Sequence, residues 1–106
     1  MTISIQDFSQ IDLRVAVITA AEEHPDADKL LVLKVDAGDG EKQLVAGIKT
    51  HYSVEELVGK KIIVVNNLTP AVLRGVESNG MLLAARDGDD VVLITTDKDV
   101  GPGSRV

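Results

Sequence analysis

The sequence predicts a small all-β domain, a five-stranded antiparallel barrel with one short helix. Two observations support this fold class: apolar residues alternate with polar or small ones in several short segments, and turns rich in glycine, proline and aspartate separate those segments. The 106 residues suffice for one hydrophobic core, so we expect a single domain over residues 1–106. Another small barrel or a β-sandwich is the alternative.

A helical turn is predicted at the N-terminus, followed by the first strand. Ser4 is followed three residues later by Asp7, which is typical of a capped first turn. Ile5 and Phe8 would face inward from this turn. From Leu13 onward the residues alternate as in a barrel strand.

The next segments predict a loop and two more strands. Residues 24–28, HPDAD, contain a proline and solvated acids and are interpreted as a loop. Strands follow at 31–36 and 43–48, joined by a Gly-Asp-Gly hairpin turn at 38–40. Gly47 is interpreted as a bulge or a close backbone approach.

One short helix is predicted at residues 53–58. Ser53 and Glu56 match a capping box, and Gly59 stands where a helix would end. The β-branched run at 62–65 indicates a strand that is buried on both faces. The remaining predicted elements are strands at 81–85 and 91–95, a turn at 87–89 and a terminal loop containing Gly101, Pro102 and Gly103.

The position of the helix indicates the type of barrel. A helix between the third and fourth strands of a five-stranded Greek-key barrel is the layout of the oligonucleotide-binding (OB) fold. The sequence therefore predicts an OB-fold barrel with short extensions at both termini.

Charge and aromatic content limit the kind of nucleic-acid partner. The net charge is −6, but residues 1–41 carry −6, residues 42–86 carry +3 and residues 87–106 carry −3. An anion-binding face should therefore use mainly the middle segment. Phe8 and Tyr52 are the only aromatic residues. Stacking successive unpaired bases usually needs several exposed rings, so this mode of binding is not expected.

The sequence contains no pattern that predicts catalysis or a cofactor. Cysteine is absent, and no nucleophile elbow, phosphate-cradling loop or zinc-hydrolase motif occurs. His24, Asp26 and Asp28 could share a cation in principle, but they are better interpreted as residues of a solvated turn. We expect no enzyme activity, no metal and no cofactor.

The segment 67–80, NLTPAVLRGVESNG, is predicted to be a long loop without secondary structure, and such loops are often functional. Its apolar residues would anchor it, while Asn67, Arg74, Ser78 and Asn79 supply a cation and hydrogen-bonding groups suited to phosphate and sugar. The alternative is that Asn67 and Ser78 bond to the backbone and Arg74 is a solvated charge. Lys29 and Lys49, taken singly, are expected to be surface charges.

Three motifs together resemble a known family. They are D-L-R-V at 12–15, A-D-K-L at 27–30, and N-L-x-P…L-R-G-x-x-S-x-G-M at 67–81. The likeness runs from Asp7 to Val106. In these residues the chain resembles the tRNA-binding domain found at the C-terminus of methionyl-tRNA synthetases, in free-standing dimeric tRNA-binding proteins and in the endothelial monocyte-activating polypeptide group.

The resemblance implies an OB-fold homodimer that recognises tRNA by shape, near the outer corner of the L, with little sequence preference. Shape recognition through phosphates and 2′-hydroxyls agrees with the scarcity of aromatic residues. The family's RNA-facing residues correspond here to a set with Lys49 as its weaker member: Lys29, Lys49, Asn67, Arg74, Ser78 and Met81.

Two further functions remain open beside tRNA binding in support of aminoacylation. One is a dimeric, secretion-chaperone-like protein that binds peptides, and the other is a dimerisation module. Ile3, Ile5 and Phe8 are candidates for coverage by a second subunit. Methionyl-tRNA synthetase is a further possible partner, and no membrane partner is expected. The N-terminal residues have neither the basic segment nor the apolar run of a signal peptide, so we expect a cytoplasmic location.

Overall fold

A computed structural model describes all residues, 1–106. Most of the chain is β-structure, with two single-turn helices. The elements in chain order are α1 (Ile5–Phe8), β1 (Leu13–Glu23), β2 (Leu31–Asp36), β3 (Glu41–Ala46), α2 (Val54–Leu57), β4 (Lys61–Val65), β5 (Ala71–Leu73), β6 (Val76–Ser78), β7 (Met81–Leu82), β8 (Ala84–Asp87) and β9 (Asp90–Leu93).

The strands form a nearly closed antiparallel barrel, which confirms the predicted OB-like fold. Five strands hydrogen-bond in the order β3-β2-β1-β4-β7. Strand β1 pairs with two strands: residues 13–17 pair with β4, and residues 17–23 pair with β2. The register shifts between Ile18 and Ala20, where the exposed Thr19 lies. This irregularity lets one long strand bend around the barrel.

The barrel encloses a core of aliphatic side chains. Ile62 and Val64 of β4 are fully buried, and so are Leu33 and Val35 of β2. The predicted helix is confirmed as α2, with both hydrogen bonds of its capping box formed between Ser53 and Glu56. It places Leu57 in the core. No helix is long and apolar enough to span a bilayer.

Two expectations at the ends of predicted elements were wrong. The capped turn exists as α1, but Ile5 and Phe8 are 67% and 46% exposed, because the turn lies outside the barrel and packs on no core residue. Gly47 is neither a bulge nor a close approach. Strand β3 ends before it, and a Cβ added there would meet only a Leu30 methyl carbon at 3.8 Å.

The predicted long loop and the last two strands also need correction. Residues 71–78 form a hairpin, β5–β6, rather than structureless chain. The predicted strand 81–85 is divided at Leu83, because β7 pairs with β4 while β8 pairs with β9. Leu83 donates its N–H to Ile63 and accepts from the N–H of Ile94, so it joins the two sheets.

The C-terminal segment closes one end of the barrel. Gly103 donates its N–H to Val15, whose own N–H is donated to Ser104. Gly103 and Gly38 both have φ near +90°, and a Cβ on Gly38 would lie 2.6 Å from the Gly103 Cα. Only glycine fits at this crossing, both for its backbone angle and for the space.

Candidate nucleic-acid interface

The β5–β6 hairpin, residues 71–78, projects its turn at Arg74 and Gly75. Both turn residues have positive φ, 52° and 86°, as a two-residue hairpin turn requires. Arg74 is the only non-glycine residue of the chain in this region of backbone angles. A side chain there costs about 1–2 kcal/mol relative to glycine. The turn therefore holds an arginine at a backbone conformation that glycine would adopt without this cost.

His24 attaches the loop 24–30 to the hairpin. Its ring is 5% exposed and has a partner on each nitrogen. Nδ1 accepts the N–H of Asp26 at 2.9 Å, so Nε2 must carry the hydrogen that it donates to the Leu73 carbonyl at 2.9 Å. The Arg74 guanidinium donates to the Asp26 carbonyl at 3.1 Å, which makes a second link between loop and hairpin.

Two of the candidate residues are engaged with the backbone. Ser78 is 5% exposed, and its hydroxyl accepts from the Val45 N–H and donates to the Gly80 carbonyl, both at 3.0 Å. The Asn67 side chain accepts from the Asp12 N–H at 2.9 Å and donates to the Gln10 carbonyl at 2.7 Å. In the free protein these side chains hold the hairpin on β3 and the N-terminal segment on the barrel.

The other three candidates lie near the surface. Lys29 is exposed and its side chain has no partner in the chain, while Met81 is 51% exposed on β7. Lys49 is half-buried, and its ammonium pairs with Glu23 at 2.6 Å. The backbone nevertheless brings the two lysines together, since the Lys49 N–H donates to the Lys29 carbonyl at 3.3 Å.

Several other charged side chains form hydrogen bonds or ion pairs within the domain and are not candidates for binding RNA. Arg14 donates to Asp12 at 3.0 Å, and this bond lowers the pKa of Asp12 and raises the pKa of Arg14. Hydrogen bonds from the Ser53 backbone and hydroxyl lower the pKa of Glu56. The Lys61 ammonium beside Asp99 lowers the pKa of that carboxyl.

Comparison with known proteins identifies the family. Residues 13–105 match the family described as "Putative tRNA binding domain". The chain belongs to this tRNA-binding family. The match covers the whole barrel, including the loop 24–30 and the hairpin.

Relatives of this tRNA-binding domain include parts of much longer enzymes. The methionine–tRNA ligases of Thermotoga maritima and Methanococcus aeolicus are 54% and 56% identical over 104 residues, 98% of this chain. The chain spans only 16% and 15% of the length of those two ligases.

Two solved structures whose chains are about as long as this one also resemble the domain. A protein related to methionyl-tRNA synthetase from Pyrococcus horikoshii superposes with a TM-score of 0.93 at 38% identity, covering 100% of this chain and 98% of the other. The chaperone CsaA of Bacillus anthracis superposes with a TM-score of 0.90 at 31% identity, covering 100% and 99%.

Few cations of this tRNA-binding domain are free to meet an anion. Of eleven Lys and Arg side chains, six form a hydrogen bond or ion pair within the chain. The five without such a partner are Lys29, Lys60, Arg86, Lys98 and Arg105. Lys29 and Arg86 line one groove together with His51. Sequence reasoning missed Arg86 and His51: the positive charge of segment 42–86 included Arg86, but nothing in the sequence located it near Lys29.

Proposed function

We propose that this domain binds tRNA by its folded shape, in support of aminoacylation, and that it catalyses nothing itself. The match of residues 13–105 to a tRNA-binding family carries the proposal. The domain acts as a domain or subunit of a methionine–tRNA ligase, or as a free-standing protein. It resembles both a short segment of a long ligase and a solved chain of about its own length. This role requires tRNA as the partner, needs no cofactor and involves no membrane. It also implies a cytoplasmic location.

The proposed RNA-binding surface consists of the loop 24–30, the hairpin 71–78 and the adjoining end of β7. Lys29 and Arg74 supply positive charge for phosphates, and a guanidinium can form two parallel hydrogen bonds with one phosphate. Met81 offers an exposed thioether on β7. We assign Asn67 and Ser78 to shaping this surface in the free protein, and Lys49 to a secondary role because Glu23 neutralises it.

The proposed assembly is a symmetric dimer. Ile3, Ile5 and Phe8 are 60%, 67% and 46% exposed, and nothing in the domain covers them. Burying such side chains against a second copy is favourable by about 25 cal/mol per Å² of apolar surface, and two-fold pairs are the commonest oligomers. Light scattering should give roughly twice the 11.3 kDa of one chain. A monomer at tens of micromolar protein would contradict this.

Titration with bulk tRNA tests the function. We expect binding that weakens with salt along a shallow log–log slope, corresponding to about two to four phosphate contacts per subunit. The slope is shallow because few cations are free of partners within the chain. Undetectable binding at low salt, a flat plot, or a slope implying about eight contacts or more would contradict the assignment.

A peptide-binding chaperone is the second candidate function, because the CsaA chaperone of Bacillus anthracis has the same fold over its full length. A dimerisation module with vestigial RNA affinity is the third. Parallel titrations with tRNA and with a chemically denatured protein distinguish them. Binding of the denatured protein without tRNA binding would favour the chaperone, and a dimer that binds neither would favour the module.

A further inference from the structure

A groove outside the hairpin collects two cationic side chains and one imidazole, none of which has a side-chain hydrogen-bond partner in the chain. Its volume is about 280 Å³, and it runs between the loop 24–30, the turn after β3 and the β8–β9 hairpin. Lys29, His51 and Arg86 line it, and Asp89 is its only acid. None of the first three side chains donates or accepts a hydrogen bond within the chain. Lys29 and Arg86 exceed Asp89 by one charge, so the lining of the groove is locally positive in a domain of net charge −6.

The walls of the groove belong to ordered elements. The turn carrying His51 is closed by hydrogen bonds from the N–H groups of His51 and Tyr52 to the Ile48 carbonyl, at 2.9 and 3.0 Å. The Tyr52 hydroxyl accepts the N–H of Leu93 at 3.0 Å, which ties this turn to β9. Arg86 stands opposite Val91 in the β8–β9 pair. Lys29, His51 and Arg86 are therefore held by backbone that is ordered without a ligand.

The groove continues into an apolar part of about 270 Å³. Gly47, Arg86 and Val91 line both parts, so the two are one continuous surface. The apolar part is lined by Ile48 and Met81, with no aromatic ring. Each part is close to the lower limit of small-ligand sites, about 300 Å³, which suits one nucleotide rather than a run of bases.

We propose that this groove is a subsite for one unpaired nucleotide of the bound RNA. The phosphate lies among Lys29, His51 and Arg86, and the base lies against Met81 and Ala84, which are exposed residues of the apolar part. A cationic half next to an apolar half matches the chemistry of a nucleotide, and a polarisable thioether provides a soft contact for a base where no ring is present. The inference rests on the proposed tRNA-binding function, and it adds His51 and Arg86 to the RNA-binding residues.

Gly47 offers a way to fill the groove without changing its charge. It is exposed, its φ lies outside the left-handed region, and an added Cβ would meet only Leu30 in ordinary contact. Gly47→Val should therefore fold normally and narrow the groove where its two parts meet. Gly101→Val is the matched control, because Gly101 has open space around its Cβ position, a φ that is also not left-handed, and no place in the groove.

The experiment compares a perfect RNA duplex with the same duplex carrying a single-nucleotide bulge, using the full chain and with thermal melts run alongside. Wild type and Gly101→Val should bind the bulged RNA at least about threefold more tightly than the duplex. Gly47→Val should lose this preference and keep its duplex affinity. Arg86→Gln should weaken binding of the bulged RNA more than Arg105→Gln, which removes an arginine that also lacks a side-chain partner but lies outside the groove.

The outcomes separate the subsite from the function. If wild type binds bulk tRNA but shows no preference for the bulge, or if Gly47→Val retains the preference, the subsite is refuted and the tRNA-binding function stands. If wild type binds neither bulk tRNA nor either duplex, the proposed function itself fails. Should Gly47→Val fail to melt cooperatively, the comparison of Arg86→Gln with Arg105→Gln decides, and equal losses from those two variants would overturn the proposal.

Discussion

The barrel body and the proposed RNA-binding surface are held together by different interactions. In the body, formed by β1–β4 and α2, side chains such as Leu33 and Ile62 are fully buried among other aliphatic groups. In the surface formed by the loop 24–30 and the hairpin 71–78, Val72 is 68% exposed, and the segments are joined by hydrogen bonds of His24 and Ser78. Stability should therefore depend on apolar volume in the body and on single hydrogen bonds in the surface.

Shortening a core side chain should change the free energy of unfolding more than any other substitution considered for the body or the surface. Leu33→Ala removes a fully buried side chain and leaves a cavity, so the free energy of unfolding should fall by about 2–5 kcal/mol. Val72→Ala removes an exposed side chain from the hairpin and should cost less than about 0.5 kcal/mol. Urea denaturation of both variants measures the difference. Similar losses from the two would mean that the hairpin packs into a core of its own.

Removing the Ser78 hydroxyl should have the next largest effect. Ser78→Ala leaves the buried Val45 N–H without its acceptor, which costs about 1–3 kcal/mol of stability. Ser104→Ala is the control, since that hydroxyl donates to the Gly101 carbonyl at an exposed site. We expect the control to change the unfolding free energy by less than about 0.5 kcal/mol. If Ser78→Ala were as stable as wild type while tRNA binding was lost, Ser78 would contact RNA directly.

The same contrast explains what the sequence could and could not predict. A short run rich in apolar residues reveals a body strand, as at Leu31–Asp36, where four of the six residues are buried. The hairpin strands have only three residues each and carry no such pattern, so 67–80 was predicted to be a loop. The exposure of Ile5 and Phe8 was missed because an apolar side chain looks the same in a sequence whether it faces the core or solvent.

The parts of the candidate site that depend on long-range neighbours could not be predicted from the sequence. Arg74 was identified from its segment, and the positive φ that singles it out is a property of the folded turn. The role of Ser78 depends on β3, whose Val45 N–H it accepts. His51 and Arg86 share a groove with Lys29 only because three distant segments meet there. Local patterns cannot contain that information.

Removing the hairpin cation should affect binding and spare stability. Arg74→Ala should weaken tRNA binding by about 1–3 kcal/mol, as expected for the loss of a charged hydrogen-bonded contact. Stability should change little, because the side chain is exposed and donates only to the Asp26 carbonyl. Filter binding at one fixed salt concentration measures the first effect, and thermal melts measure the second.

Lys98→Ala is the control for Arg74→Ala, because Lys98 is an exposed cation outside the proposed surface. It should reduce tRNA binding far less. Equal losses from the two variants would mean that only total charge matters. A collapse of the melting temperature in Arg74→Ala would make the arginine structural, and the assignment of the hairpin to RNA binding would have to be withdrawn.

The smallest expected effect is an acid-dependent loss of stability from the scaffold carboxylates. Asp12, Glu56 and Asp99 have lowered pKa values, caused first by hydrogen bonds from Arg14, the Ser53 backbone and Lys61 respectively. A carboxyl whose pKa is lower in the folded than in the unfolded state stabilises the fold fully above the unfolded value, about 4. That stabilisation is lost as the pH falls from there through the folded pKa.

Asp12→Asn should therefore show a smaller drop in unfolding free energy between neutral and acidic pH than wild type, measured by urea denaturation. Asp97→Asn, which changes an exposed carboxylate without a hydrogen bond or ion pair, should follow the wild-type curve. If both variants followed that curve, the Arg14 pair would contribute nothing to the acid sensitivity of the barrel.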